Sequence, residues 1–271
     1  MDFHRTLESI IMTASPREKR ERFDRFYDAW KAGRVKREEV FEPKSFESPS
    51  YAAFCQVVSP QAVPKRKSPS TKEGQVLLLH AIAHIEYSAI DLALDHAYRF
   101  PGLPKAYYDD WLEVADDEFR HFGMIERLLK SRGAAYGDFP VHDALFEAAQ
   151  RTPTLLERMA VVPRYFEANG LDATPQILEK LRHFKSDPVI GEMIALLNVI
   201  LEEEVDHVRK GDRWFAWACE REKADRSVYF EIIDRFYPGS YPRQKFLNVE
   251  ARLRAGFSCG ELNRMGKEKV C

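Results

Sequence analysis

Apolar residues recur every three to four positions along much of the chain, which is the spacing of one face of an α-helix. No run of residues alternates between apolar and polar as a half-buried strand would. The pattern predicts one short charged helix, which opens at Ser15-Pro16, and four long helices bounded by Pro, Gly or capping residues. The long helices are predicted at about 71–99, 104–132, 153–169 and 188–222. Shorter helices are predicted near 142–150, near 175–184 and in the tail.

Four long helices with short additions predict an all-α fold in which the long helices form an antiparallel bundle. We predict three parts. Residues 1–70 hold N-terminal helices and an extended segment that wraps the surface, because positions 40–69 are rich in Pro and Ser and have little periodicity. Residues 71–222 form the bundle, and residues 223–271 form a helical extension packed on it.

The composition is that of a soluble globular protein, with 45% hydrophobic and 31% charged residues. The net charge of −2 gives no general attraction to nucleic acid or to an anionic membrane, so neither is expected as a partner. The first residues lack the basic-then-apolar pattern of a signal segment, so none is expected, and no uninterrupted apolar stretch approaches the roughly 20 residues of a membrane span. The cysteines lack CxxC spacing, which predicts reduced thiols in a cytoplasmic protein. They are Cys55, Cys219, Cys259 and Cys271.

Carboxylate or imidazole side chains interrupt the apolar stripe of every long helix. In chain order they read Glu, Glu-x-x-His, Glu, Glu-x-x-His: Glu86, Glu118, His121, Glu167, Glu204 and His207. A residue and its i+3 neighbour lie on one helix face, so each Glu-x-x-His can present both groups to one point. Buried carboxylates are costly unless their charge is compensated, and two divalent cations would compensate these. The pattern therefore predicts a dinuclear metal site, with exposed salt bridges as the simpler alternative.

This ligand order resembles the di-iron carboxylate site of the ferritin-like superfamily, over about residues 75–219. Further segments, among them DDEFRHFGMIERLL, PRYFEANGLDATP and NVEARLRAGFS, resemble the ferritin-like family catalogued as domain of unknown function 455, over about residues 49–257. The resemblance implies a ferritin-like four-helix bundle with extra short helices at both termini. It also implies two metal ions, with iron first and manganese or a mixed Fe/Mn pair as alternatives.

The residue before each Glu-x-x-His glutamate is also acidic, namely Asp117 and Glu203. Bacterial multicomponent monooxygenases carry a similar acidic-Glu-x-Arg-His pattern, in which the first acid orients a ligand histidine. By this resemblance, Asp117 and Glu203 are candidates for hydrogen bonds to the ligand histidines. Tyr87 and Tyr165 flank candidate ligands and could hydrogen-bond them, although local structural partners are the simpler interpretation.

Three further residues bear on the predicted site. Pro163 lies one turn before Glu167, where it would release the carbonyl of Met159 and kink the third long helix. His80 and His84 are four residues apart, a spacing that helical zinc sites use. They lie to one side of Glu86, so we expect a structural or solvent-facing role for both.

The ligand set and the superfamily resemblance imply an oxidase or monooxygenase that uses dioxygen or peroxide on a small organic substrate, with a possible electron-donor protein. A ferroxidase or other iron-handling protein is one alternative. A helical interaction protein with a structural metal is another. A homodimer is a possible assembly. The sequence has no Gly-rich phosphate loop and no Gly-x-Ser-x-Gly elbow, which argues against nucleotide-driven or serine-hydrolase chemistry.

Overall fold

The computed structural model describes residues 1–37, 40–242 and 246–271. Every regular element of these residues is a helix, and the only bridges recorded among them are two isolated ones that join single residues. The all-α prediction is therefore confirmed. The chain divides into two compact units, Met1–Glu147 and Ala148–Cys271. The three-part division at residues 70 and 222 stays a prediction, and its third part includes residues 243–245, which lie outside the described residues.

The first unit is built on four helices: α1 (Phe3–Ile11), α2 (Pro16–Lys31), α3 (Lys72–Arg99) and α4 (Lys105–Ser131). The sequence analysis did not predict α1, although Asp2 caps it by accepting a hydrogen bond from the Arg5 amide at 2.8 Å. In α3 the capping residue is Thr71, whose hydroxyl accepts from the Gly74 amide at 3.1 Å. The α4 helix ends before Gly133, which has a φ of +78°.

Helices α3 and α4 form an antiparallel pair, because only residues 100–104 connect them and they pack along their length. Their facing stripes are fully buried and include Ala83, Ile90, Trp111 and Ile125. Residues 40–69 contain two short 3₁₀ turns, Ser50–Ala53 and Pro60–Ala62, and are otherwise irregular. The pair of long helices is thus the longest regular part of this unit.

The second unit contains a helix run that lies against one very long helix. The run is α6 (Leu155–Val161), a π-helical turn (Val162–Glu167) and α7 (Ala168–Arg182), and it packs on α8 (Pro188–Glu222). A short α5 (Ala144–Gln150) precedes the run. Three short helices follow α8: α9 (Val228–Phe236), α10 (Val249–Arg254) and α11 (Cys259–Met265).

The third long helix differs from its prediction in two ways. The irregularity expected at Pro163 takes the form of the π-helical turn, since proline has no amide hydrogen to continue the α-helical ladder. The predicted end at Gly170 and the separate helix near 175–184 are wrong, because α7 continues through Gly170 and Pro175 to Arg182. Leu171, Leu178 and Leu181 are buried along α7. Their packing outweighs the low helix propensity of glycine and proline.

A close approach between α8 and the π-helical turn occurs at Gly211. A Cβ atom added there would lie 2.2 Å from the Cβ of Pro163, so any larger side chain would collide with the turn. At Gly191, near the start of the same helix, nothing lies within 4 Å of such an atom. Packing against the π-helical turn therefore requires glycine at position 211. At position 191 glycine only lowers the helix propensity.

Gly211→Ala is expected to lower the free energy of unfolding by about 1–3 kcal/mol, because the added methyl group must displace the π-helical turn. Gly191→Ala is the matched control and should raise the free energy of unfolding by about 0.5–1 kcal/mol, since alanine costs less conformational entropy in an exposed helix. Urea denaturation of both variants measures the two effects. An unchanged or increased stability for Gly211→Ala would show that the close approach does not exist in solution.

The prediction of four reduced thiols is wrong for two cysteines, since Cys259 and Cys271 form a disulfide. The tail turns back onto α11 because the Asn263 side chain accepts hydrogen bonds from the Val270 and Cys271 amides at 2.8 and 3.2 Å. This return brings the two cysteine Cα atoms to 5.7 Å. Cys55 and Cys219 are free and buried. The cytoplasmic location remains a prediction. The disulfide removes one of its grounds, which was that all four cysteines are reduced.

Helix α3 is long and apolar enough to cross a membrane when judged by length and composition alone. It is the one such helix in the described part of the chain, and 72% of its most apolar window is buried inside the protein. A core helix passes the same test, so a single helix of this kind is weak evidence for a membrane span.

Candidate metal centre

Three of the predicted ligands come together in the first unit. The α3–α4 pair brings Glu86 beside Glu118 and His121: His121 Nδ1 lies 3.2 Å from Glu86 Oε2 and 3.4 Å from Glu118 Oε2. One possible ligand atom from each residue lies within 4.8 Å of the others. His121 and Glu118 are almost completely buried, and Glu86 is 5% exposed. We refer to Glu86, Glu118 and His121 as the carboxylate–histidine group.

The electrostatics of the carboxylate–histidine group favour a cation at its centre. Burial lowers the pKa of His121, but hydrogen bonds and charge attraction from Glu118 and Glu86 outweigh it and raise the pKa to about 11. In the metal-free protein His121 is therefore protonated and lies against the two carboxylates. A divalent cation can take the place of that proton, since carboxylate oxygens and a neutral imidazole are ordinary ligands of such metals. The group can thus hold a metal ion.

The second unit carries the other predicted ligands. Glu204 and His207 lie one turn apart on α8, with His207 Nδ1 3.6 Å from Glu204 Oε1. His207 is fully buried, whereas the Glu204 side chain is 15% exposed. Glu167 is the last residue of the π-helical turn and is half-buried. The helical spacing places each acid and imidazole of the Glu-x-x-His pair on one face, as the sequence predicted.

The four residues predicted to support the ligands have the following surroundings. Asp117 accepts a hydrogen bond from Arg120 Nη2 at 2.6 Å, and Glu203 is half-buried on α8. The Tyr87 hydroxyl donates to the Ala14 carbonyl at 3.5 Å, and the Tyr165 hydroxyl lies 2.8 Å from the Ser240 hydroxyl. Burial and the nearby Asp91 charge raise the pKa of Tyr87. Support of the ligands by these four residues stays a prediction.

His80 and His84 are buried and have structural partners. His80 Nε2 accepts a hydrogen bond from the Gly137 amide at 3.1 Å. His84 Nε2 donates to the His142 carbonyl at 2.6 Å, and its Nδ1 accepts from the Tyr136 hydroxyl at 2.9 Å. Burial lowers the pKa of each to about 4, so both rings are neutral at pH 7. Hydrogen bonding to the loop after α4 is their role in the structure.

The lowered pKa of His80 predicts a loss of stability in acid. Between pH 6.5 and 4 the unfolded chain binds a proton at this residue and the folded chain does not, so the free energy of unfolding falls as the pH falls. His80→Gln keeps an amide oxygen that can accept from Gly137 but cannot bind this proton. The number of protons taken up on unfolding, which sets the pH slope of the free energy of unfolding, should be smaller in this window by up to about one. His121 affects the slope only above pH 6.5, because its pKa is raised. Urea denaturation of the metal-free proteins across this range tests the prediction, and equal slopes would contradict it.

Two buried arginines beside Glu167 were not singled out from the sequence. Arg164 lies in the π-helical turn, and Arg252 lies on α10; both are fully buried. Arg164 contacts Asp212 and Glu261, and Arg252 contacts Asp172. A signal for Arg164 is its charge inside the otherwise apolar run MAVVPRYF, where a solvated arginine is not expected.

Comparisons with known proteins place the chain in a family without assigning it an activity. A family model described as "Protein of unknown function (DUF455)" matches residues 12–263. A protein of Haemophilus influenzae, described as "Uncharacterized protein", is 37% identical over 275 residues, which cover 96% of this chain and 92% of that relative. No solved structure matches the chain. Since the family model spans nearly the whole chain, the protein belongs to the DUF455 family.

Proposed function

We propose that the protein binds two metal ions inside a ferritin-like four-helix bundle. Its four helices would be α3, α4, the α6–α7 run and α8. Each unit supplies one glutamate and one Glu-x-x-His pair from two long helices that pack on each other, which supports the proposal. The carboxylate–histidine group would form one half of the centre, and Glu167, Glu204 and His207 the other half.

The donor set favours iron, with manganese or a mixed Fe/Mn pair as alternatives. Four carboxylates and two imidazoles suit these metals better than zinc or copper alone. Two divalent ions would also nearly neutralise the four carboxylates, which the apolar surroundings of α3 and α4 otherwise make costly. The carboxylate–histidine group is the observation that carries this proposal, because it assembles two carboxylates and one imidazole with almost no exposure to water.

The proposed activity is that of an oxidase or monooxygenase acting on a small organic substrate, with electrons from a donor protein. A reduced di-iron pair with this ligand set would supply the activation of dioxygen. The chain's own residues would bind and orient the ions and exclude water from them. The carboxylates would compensate the positive charge of the ions. His121, protonated in the metal-free protein, would release its proton when an ion binds.

The proposal is tested by measuring metal content and dioxygen uptake after anaerobic loading with Fe(II). The wild-type protein should bind about two iron ions per chain and take up dioxygen rapidly, with a transient visible absorption band. Glu204→Ala/His207→Ala should bind fewer ions and lose the band. The matched control is Arg209→Gln, which changes an exposed residue on the same helix and leaves Asp206 to its second partner, Lys210. That control should behave as the wild type does.

Two results would contradict the proposal. Substoichiometric metal in the wild type, or redox-silent zinc that the ligand variant does not affect, would show that the six residues do not form an oxygen-activating centre. A large cage in size-exclusion chromatography, together with uptake of many iron ions per chain, would instead indicate iron storage.

A further inference from the structure

Arg164 lies in the π-helical turn three residues before the candidate ligand Glu167, and its side chain is fully buried. Two carboxylates of the same unit compensate its charge. Arg164 Nε lies 2.9 Å from Asp212 Oδ1 on α8, and Arg164 Nη2 lies 2.6 Å from Glu261 Oε1 on α11. Buried arginines are retained only with such partners, so this side chain is fixed in one position.

Three aromatic rings surround the same guanidinium group and form what we call the aromatic cage: Phe215, Tyr229 and Phe257. Their ring centroids lie 4.6, 4.5 and 4.6 Å from Arg164 Cζ, within the range of attractive cation–π contacts. The Tyr229 hydroxyl also donates a hydrogen bond to the Arg164 carbonyl at 3.1 Å. The cage thus holds both the side chain and the backbone of Arg164.

The backbone on the other side of Glu167 is held by Arg252 of α10. Its Nη2 donates to the carbonyl of Ala168, the residue after Glu167, at 3.0 Å. The same guanidinium pairs with both carboxylate oxygens of Asp172, at 2.6 and 2.9 Å. An arginine therefore anchors the backbone on each side of Glu167: α11 supplies Glu261 to Arg164, and α10 supplies Arg252.

This anchoring matters because a π-helical turn contains one residue more than the α-helix it interrupts. If the turn relaxed to a regular α-helix, the residues at its end would rotate by about 100° around the helix axis. Glu167 is at that end. Such turns are costly by themselves and persist where surrounding contacts stabilise them.

We propose that Arg164 is a positioning residue for the metal centre. Arg164 stabilises the π-helical turn, so that Glu167 keeps the orientation in which it would bind a metal ion. The inference rests on the proposed function, because Glu167 is a ligand only in the proposed dinuclear centre. It adds that the aromatic cage and the C-terminal helices α10 and α11 determine the affinity for one of the two ions.

The test is an anaerobic titration with Co(II), followed by visible absorption and calorimetry, of the wild type, Arg164→Lys, Arg158→Lys and Glu167→Ala. Arg158 is the matched control, since it is equally buried on α6 but donates to Thr152 Oγ1 and the Ala149 carbonyl, away from the turn. Arg164→Lys should weaken one of two binding steps about tenfold or more and change the absorption of that ion. Glu167→Ala should weaken the same step. Arg158→Lys should leave both steps unchanged.

A milder variant covers the case in which Arg164→Lys does not fold. Tyr229→Phe keeps the aromatic ring and removes only the hydroxyl that donates to Arg164, so it should weaken the same step by about fivefold. Wild-type affinities at both steps in the folded Arg164 variant, or in Tyr229→Phe, would overturn the positioning role while leaving the dinuclear centre intact. Binding of no Co(II) by the wild type would overturn the proposed function and this inference with it.

Discussion

Saturating Co(II) is expected to raise the free energy of unfolding of the wild-type protein by about 4 kcal/mol when free metal reaches about a thousand times its Kd. The physical reason is that the carboxylate–histidine group exists only in the folded chain, where α3 and α4 bring Glu86 to His121. A ligand that binds only the folded state stabilises it by mass action. In Glu118→Gln/His121→Gln, which lacks the half of the centre that this group would form, the increase should be at most about half that of the wild type. Anaerobic urea denaturation at several metal concentrations measures the increase.

The control for this prediction is His80→Gln. His80 is a buried histidine on the same helix as Glu86, and its partner is the Gly137 amide rather than a carboxylate of the group. This variant should show the full metal-dependent increase even if its own stability is lower. Equal increases in the wild type and in Glu118→Gln/His121→Gln would show that the stabilising ion binds elsewhere.

Arg252→Met is expected to lower the free energy of unfolding by about 3–5 kcal/mol, because it leaves the buried carboxylate of Asp172 without its cation. Both partners of the ion pair are buried: the Arg252 side chain is fully inaccessible to solvent, and the Asp172 side chain is 7% exposed. Asp172 attraction outweighs burial and raises the pKa of Arg252, so the guanidinium stays charged. Urea or thermal denaturation measures the loss.

Arg254→Met provides the matched control, since Arg254 lies on the same helix but pairs with Glu202 at the exposed surface. It should change stability little, because water screens an exposed ion pair. In the double variant Arg252→Met/Asp172→Asn the charge is removed together with its partner, so this protein should be more stable than Arg252→Met. If it is not, an unpaired buried carboxylate is not the cause of the loss.

Helix positions were largely predictable because the relevant signals are local. The bounds of α2, α4 and α8 follow from the 3.6-residue period and from capping residues within a few positions of each end. Where local signals and packing disagree, the prediction failed. Gly170 and Pro175 argue for an interruption, but the buried leucines of α7 keep the helix continuous.

Parts of the candidate site were predictable for the same reason. Each Glu-x-x-His pair lies on one face of one helix, so the closeness of His207 to Glu204 follows from helix geometry alone. The contact of Glu86 with His121 joins two helices, and it depends on how α3 packs against α4. The sequence predicted that these residues share a core, and only the packing decides which atoms face each other.

The sequence by itself determined an all-α chain, the main helices and the two Glu-x-x-His pairs, because each depends on interactions between residues a few positions apart. Only the tertiary structure decided the assembly of Glu86 with Glu118 and His121, the Cys259–Cys271 disulfide and the burial of Arg164 and Arg252. Arg164 and its partner Glu261 are far apart along the chain, and no periodic pattern links them. Their contact follows from the packing of α11 and the aromatic cage around one guanidinium group, because buried charge must find its partner wherever the fold brings one.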